Sequence, residues 1–307
     1  IRDLGHSEGR KLIENPLMIL QEMIASAMAS VFMGHEIAKE RKVLDTFIDC
    51  TGDLARLLDP VSTTNAWRPY FAKAKYGVDN PLQKHIRVLV EAATPVVQER
   101  RRQEAEALEK DLEDICGHLL VIVLVSVHTT SDSSTYLSYF LAAFPQCIDE
   151  LYQEQLEVKM DSFVRESMRF RADRASVPYT ARRDVVLSNG MTIRKGRMIM
   201  VNFQSTHLNP GMQGKDPAEF RPWRFVGKGK AATKVGTDFL FFGMGKHACP
   251  GRFLAIQEVK TVGALMVSRY SKIELQDPSQ KTKALRSLLG EKVPTGLYFT
   301  SREAKNE

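Results

Sequence analysis

The stretch FFGMGKHACPGR, from Phe241 to Arg252, places one cysteine between a glycine-rich turn and a proline. Proline favours the first position of a helix, because its missing N–H would have no partner there. We therefore predict a helix that starts at Pro250, with Cys249 at its N-terminus. Exposed N–H groups and the positive end of the helix dipole favour an anion there, so we expect the thiolate form of Cys249 to be stabilised. Such a thiolate suits a metal ligand or a nucleophile.

Two other interpretations of the same residues remain open. The segment GMGKHA, residues 243–248, follows an apolar run and fits the dinucleotide-binding pattern G-x-G-x-x-A. That pattern needs a helix that starts within the glycines, yet Pro250 would then fall inside its early turns, and too little chain follows for the rest of such a domain. The other interpretation is an ordinary turn with a structural cysteine, which leaves the combination of residues unexplained.

Five residues of the stretch resemble the haem-binding signature F-x-x-G-x-[R or H]-x-C-x-G of the cytochrome P-450 family: Phe242, Gly245, His247, Cys249 and Gly251. The resemblance implies that Cys249 is the axial thiolate ligand of a haem b iron. It also implies that Phe242 packs near the sulfur and that His247 pairs with a haem propionate. Most members of the family carry Arg in place of His247, and His is frequent in the fungal branch.

The segment ESMR resembles the E-x-x-R motif of the same family and contains Glu166 and Arg169. Helical periodicity alone places this pair away from the apolar stripe of its helix and predicts a surface pair. The later segment FRPWRF resembles the P-E-R-F segment of the family, with Trp223 in place of the usual acid. The resemblance implies a structural network of Glu166, Arg169 and Arg224.

The segment SVHTTS, residues 126–131, resembles the oxygen-activation segment of the long central helix of the family. The resemblance implies that Thr129, with Thr130 behind it, assists proton delivery, and His128 stands where an acid is usual. His207 in THLNP resembles a turn of the family in which the histidine packs locally, so we expect no catalytic role for it.

The pattern along the chain predicts a mainly α protein with a small β meander. Apolar residues recur at helical spacing in residues 18–32, 43–58, 81–110 with a kink or break at Pro95, 148–171 and 252–270. Residues 117–131 contain a β-branched run that fits either a buried helix or a buried strand. Short alternating runs around the turn at Asn189 and Gly190 predict the meander.

Composition is typical of a soluble globular protein, with 43% hydrophobic and 26% charged residues. The longest apolar run, residues 119–125, is shorter than the roughly 20 residues that cross a bilayer, so we predict no transmembrane helix. Cys50, Cys116 and Cys147 have apolar neighbours and form no C-x-x-C pair, so we expect buried thiols in a reducing compartment. The 43 basic residues outnumber the 37 acidic ones but are dispersed, so we expect no nucleic-acid partner; such binding would show a steep salt dependence.

The motif order resembles the cytochrome P-450 family over most of the chain. We therefore expect residues 1–307 to form a single, partial domain of this fold that lacks the N-terminal anchor and the early helices. The resemblance implies a haem-thiolate monooxygenase that uses molecular oxygen on a hydrophobic small molecule, such as a terpenoid-like secondary metabolite. It also implies NADPH-cytochrome P-450 reductase as partner and the cytosolic face of the endoplasmic reticulum membrane as the location of the parent protein. The alternative is a truncated remnant that binds haem or a partner without turnover.

Overall fold

The computed structural model describes residues 9–57, 82–100, 108–154, 158–171, 179–286 and 293–302. Their helices are α1 (Pro16–Met33), α2 (Arg41–Leu57), α3 (Gln83–Arg100), α4 (Leu108–Ala143), α5 (Cys147–Glu154), α6 (Val158–Phe170), α7 (Phe203–His207), α8 (Pro210–Gln213), α9 (Arg252–Arg269) and α10 (Lys281–Arg286). Their strands are β1 (Arg10–Ile13), β2 (Tyr179–Thr180), β3 (Val185–Val186), β4 (Thr192–Ile193), β5 (Met198–Ile199), β6 (Tyr270–Leu275) and β7 (Leu297–Ser301). These elements form two compact units, residues 15–135 and residues 9–14 with 136–302, and the boundary falls within α4.

In the first unit, α1 packs against α2, and α2 packs against α3. Helix α1 begins with Pro16 at its first position and ends before Gly34, whose φ of 87° is left-handed. The predicted helix over residues 18–32 is therefore confirmed. Helix α3 continues through Pro95, so of the predicted kink or break the break is wrong, and the kink stays a prediction. Residues 101–107 of the predicted helix lie outside the described residues. Pro95 has no N–H and so costs the helix one backbone hydrogen bond. The helix tolerates this loss because Leu89, Ala92 and Ala93, just before the proline, are buried.

The long helix α4 covers 36 residues and includes the run that fitted either a helix or a strand. Its buried positions Leu120, Val123 and Val127 recur at spacings of three and four, as on one face of a helix. Ile122 and Val125, on the opposite face, are about half exposed. The continuous backbone hydrogen bonding of α4 settles what periodicity left open.

The second unit contains an antiparallel sheet of order β1-β7-β6, in which Arg10 pairs with Thr300 and Leu275 pairs with Leu297. This sheet is absent from the sequence prediction. The predicted hairpin at Asn189 is confirmed as β3 paired with β4, but β5 pairs with β2 instead of extending a single meander.

Helix α9 packs against α5 and α6, which both lie along the helix predicted over residues 148–171. Residues 155–157 of that prediction lie outside the described residues. Gly263 permits the close approach, since a Cβ at that position would lie 2.9 Å from Leu137 Cδ2 and 3.0 Å from Met160 Sδ.

Two helices, α1 and the 112–143 portion of α4, are long and apolar enough to cross a bilayer by length and composition. The prediction of no transmembrane helix, which rested on the longest apolar run alone, therefore understated the apolar character of these two helices. The core helix of a soluble protein meets the same criterion, and α1 buries Leu20, Ile24 and Met28 within its unit.

Candidate active site

We call residues 242–251, between Phe242 and the start of α9, the cysteine loop. Helix α9 begins at Arg252 with Gly251 as N-cap, two residues later than the start predicted at Pro250. The cause is local: the Cys249 N–H donates to the Phe242 carbonyl at 2.8 Å and closes the loop before helical bonding starts at Gly251. Arg252 Nη1 donates to the Cys249 carbonyl at 2.8 Å. Both backbone polar groups of Cys249 are thus used to fix its position.

Glycines shape the cysteine loop. Gly243 has a φ of +70°, and a Cβ there would lie 3.4 Å from the His247 carbonyl oxygen. Gly245 has a φ of +68° and open space where a Cβ would project. Left-handed backbone of this kind strongly favours glycine, so both positions constrain the path of the chain toward Cys249.

The four cysteines differ in accessibility. Cys249 is half-buried, whereas Cys50, Cys116 and Cys147 are buried, and all four are free thiols. Burial raises the pKa of the Cys116 thiol to about 11 and that of Cys147 to about 12, which keeps both protonated. The expectation that these three cysteines are core residues is confirmed.

Glu166 lies at the centre of a buried ionic network in the second unit. Its Oε2 accepts from Arg169 Nε at 2.7 Å, and its Oε1 accepts from Arg169 Nη2 at 2.8 Å and from Arg224 Nε at 2.9 Å. Glu166 and Arg169 are both fully buried. The surface pair that periodicity predicts is therefore wrong, because the segment 213–225 covers the face of α6 opposite to its apolar stripe.

The two arginines use their remaining N–H groups on main-chain carbonyls. Arg169 Nη1 donates to the carbonyls of His207 at 2.6 Å and Pro217 at 2.7 Å. Arg224 Nη2 donates to the carbonyls of Asp216 at 3.0 Å and Glu219 at 2.7 Å. The network thus ties α6 to the irregular chain that precedes the cysteine loop, and its buried charges are well satisfied.

Trp223 stands next to Arg224 but takes no part in the ionic network. Its ring lies 6.3 Å from that of Phe163, and the Lys159 ammonium lies 5.4 Å from its centroid. Where the family usually has an acidic residue, this chain thus has a tryptophan that packs against α6. Arg165, which sequence reasoning missed, is also buried, and its Nη1 donates to the carbonyls of residues 231 and 234 at 2.7 Å.

Thr129 lies on the exposed face of α4, in the first unit, whereas Cys249 belongs to the second. Its Oγ1 donates to the Val125 carbonyl at 2.6 Å, which leaves the oxygen lone pairs free to accept a hydrogen bond. Thr130 is buried and His128 is half-buried. Of the three predicted catalytic residues, Thr129 is therefore the one that the structure exposes.

The sequence model of the family described as Cytochrome P450 matches residues 7–297. The chain belongs to the cytochrome P450 family. Among the relatives, Cytochrome P450 monooxygenase 103 of Postia placenta is 28% identical over 80% of this chain and 58% of its own length. Cytochrome P450 monooxygenase 71 of the same fungus is 30% identical over 55% of this chain and 38% of its own length. Cytochrome P450 monooxygenase paxP of Penicillium paxilli is 27% identical over 91% of this chain and 62% of its own length.

The chain therefore spans about 60% of the length of monooxygenase 103 and of paxP. Its mainly helical architecture with small antiparallel sheets is that of the family. P450 members hold a haem through a cysteine thiolate, and the cysteine loop of this chain contains a half-buried free thiol.

The surroundings of Cys249 fit a haem. Gly245 leaves open space, and Phe253 and Leu254, which directly follow the loop, are 59% and 41% exposed. His247 is exposed, with its ring 6.0 Å from that of Tyr179. These residues offer one soft donor, apolar surface and a polar imidazole, which are the groups that the iron, the porphyrin and a propionate would contact.

Proposed function

We propose that this chain is the haem-binding part of a fungal haem-thiolate monooxygenase, with Cys249 as the axial ligand of haem b. The observation that carries the proposal is the position of Cys249: a half-buried thiol in a loop closed by its own N–H on Phe242. Bound haem supplies the oxidising chemistry by which one atom of O2 enters a C–H bond, and thiolate donation favours O–O cleavage.

The residues of the chain have separate roles in this proposal. Phe242 packs beside the ligand, Gly245 and Gly251 leave room for it, and His247 pairs with a propionate. Thr129 accepts and relays a proton at Oγ1, with Thr130 and His128 behind it on α4. The Glu166 network holds the chain that leads to the loop.

The substrate in this proposal is a hydrophobic small molecule of secondary metabolism, for example a terpenoid. Support comes from the fungal relatives, which are named as monooxygenases. NADPH-cytochrome P450 reductase supplies the electrons. The parent protein lies on the cytosolic face of the endoplasmic reticulum membrane.

The test is optical. The chain is reconstituted with haem, reduced and exposed to carbon monoxide, and the red-shifted Soret band of thiolate ligation is expected. Cys249→Ser should abolish this band, whereas the matched control Cys116→Ala should keep it, because Cys116 is buried in the first unit. Absence of the band in a folded sample, or its survival in Cys249→Ser, would overturn the proposal. A thiolate band without product, in the presence of the reductase and candidate terpenoids, would instead identify a haem-binding remnant without turnover.

A further inference from the structure

His207 connects two parts of the second unit. It ends helix α7, and its side chain is fully buried. Its carbonyl oxygen accepts from Arg169 Nη1 at 2.6 Å, and its Nε2 accepts from the Leu240 N–H at 2.9 Å. One residue thus contacts the Glu166 network through its main chain and the entrance of the cysteine loop through its side chain.

The hydrogen bond to Leu240 fixes the tautomer of the ring. An N–H donor needs a lone pair on Nε2, so the proton of neutral His207 lies on Nδ1, which is buried without a hydrogen-bond partner among the described residues. Burial, followed by the charges of Arg169 and Arg165 and opposed by Asp238, lowers the pKa of His207 to about 4. The ring is therefore a neutral acceptor across the physiological pH range.

From Leu240 the contacts lead directly to Cys249. The Leu240 carbonyl accepts from the Gly243 N–H at 2.8 Å, and the Phe242 carbonyl accepts from the Cys249 N–H at 2.8 Å. The ring of Phe239, the residue before Leu240, stacks on His207 at 5.5 Å between centroids. The arrangement gives His207 two separable contributions, an acceptor for Leu240 and a ring surface for Phe239.

We propose that His207 is a positioning residue, whose Nε2 acceptor sets the start of the cysteine loop and thereby the position of the Cys249 thiol. This inference deepens the proposed function, since the thiol it places is the proposed haem ligand. It also gives the histidine of THLNP a role that local packing does not include.

Two variants separate the acceptor from the packing. His207→Gln keeps an acceptor near the place of Nε2 and removes the ring, whereas His207→Phe keeps a ring against Phe239 and removes the acceptor. Without haem, we measure amide exchange at Leu240 by NMR and the alkylation rate of Cys249, the one cysteine that is not buried. A buried donor left unpaired weakens the local structure, so His207→Phe should accelerate both rates by roughly tenfold to a hundredfold. His207→Gln should stay within about threefold of the wild type, as expected when the lost acceptor is replaced.

Wild-type rates in His207→Phe, or equal acceleration in both variants, would overturn the inference in favour of simple packing. If His207→Phe does not fold, nitrogen-15 NMR of the wild-type ring still decides, because an Nε2–H tautomer would exclude the acceptor role. These measurements need no haem, so they succeed or fail independently of the proposed function. In the haem-loaded protein, His207→Phe should also lose the thiolate Soret band faster than His207→Gln during storage at constant pH.

Discussion

Replacing Glu166 with Gln removes the negative charge to which Arg169 and Arg224 both donate hydrogen bonds. In the wild type, four donors surround the carboxylate at 2.7 to 2.9 Å, the fourth being the main-chain N–H of Arg221. The Gln carbonyl retains part of these contacts, but its NH2 group would face the Arg169 Nε donor. Breaking a buried ion pair leaves an uncompensated charge, so we expect the free energy of unfolding to fall by about 3 to 5 kcal/mol. This is a large fraction of the roughly 5 to 15 kcal/mol that stabilises an ordinary domain.

Urea unfolding followed by tryptophan fluorescence measures the loss. The chain has two tryptophans, so a Trp67→Phe background leaves Trp223, next to the network, as the reporter. The matched control is Glu150→Gln, which breaks a half-exposed pair with Lys159 at 2.8 Å and should cost less than about 1 kcal/mol. A loss below about 1 kcal/mol for Glu166→Gln would refute the view that the buried charges depend on each other.

Three further changes probe single contacts. The pKa of His207 falls from 6.5 to about 4 on folding, so its stabilising contribution is complete above pH 6.5 and is lost as the pH falls toward 4. In urea titrations, the difference in unfolding free energy between the wild type and His207→Gln should therefore shrink by about 3 kcal/mol between pH 7 and pH 4. A difference that stays constant with pH would contradict this assignment. Gly243→Ala should cost about 1 to 2 kcal/mol in the same titrations, since alanine disfavours the left-handed backbone and its Cβ approaches His247; an unchanged midpoint would show that the turn relaxes. Tyr139→Phe should cost about 1 to 2 kcal/mol, because it leaves the buried Thr295 carbonyl without the hydroxyl at 2.7 Å, and full stability would mean that another donor replaces it.

The cysteine loop was largely predictable because its shape is local. Two left-handed glycines, one proline and one cysteine within ten residues indicate a tight turn into a helix. The error of two residues at the start of α9 also has a local cause. The Cys249 N–H bonds back to Phe242, and neither proline preference nor periodicity registers such a contact.

The Glu166 network could not be derived from periodicity. The method assumes that one face of a helix is buried, whereas residues 162–169 of α6 are all buried. Chain 48 to 58 residues further along covers the second face, as the contacts of Arg169 with Pro217 and of Glu166 with Arg224 show. Only the resemblance of two short motifs to a known family pointed to their meeting.

The sheet β1-β7-β6 was missed for a related reason. Arg10 and Thr300 are partners near opposite ends of the chain, and strands of four to six residues have no strong pattern of their own. Helix α4 was ambiguous because its apolar run is rich in β-branched residues, which suit a strand as well as a buried helix. Tertiary packing decides both cases.

The position of the Cys249 thiol also depends on contacts outside its own loop. The side chains from Met244 to Pro250 are exposed or half-buried, so they contribute little packing that would hold the loop in place. The anchors are instead Phe239 and His207, both fully buried, and the latter joins Arg169. Substitutions at the exposed Met244 should therefore change thiol reactivity less than substitutions at His207, although Met244 is much closer to Cys249 in sequence. Although the cysteine loop looks like a local motif in the sequence, the position of its thiol thus depends on the buried charges of Glu166 and Arg169, about 80 residues earlier in the chain.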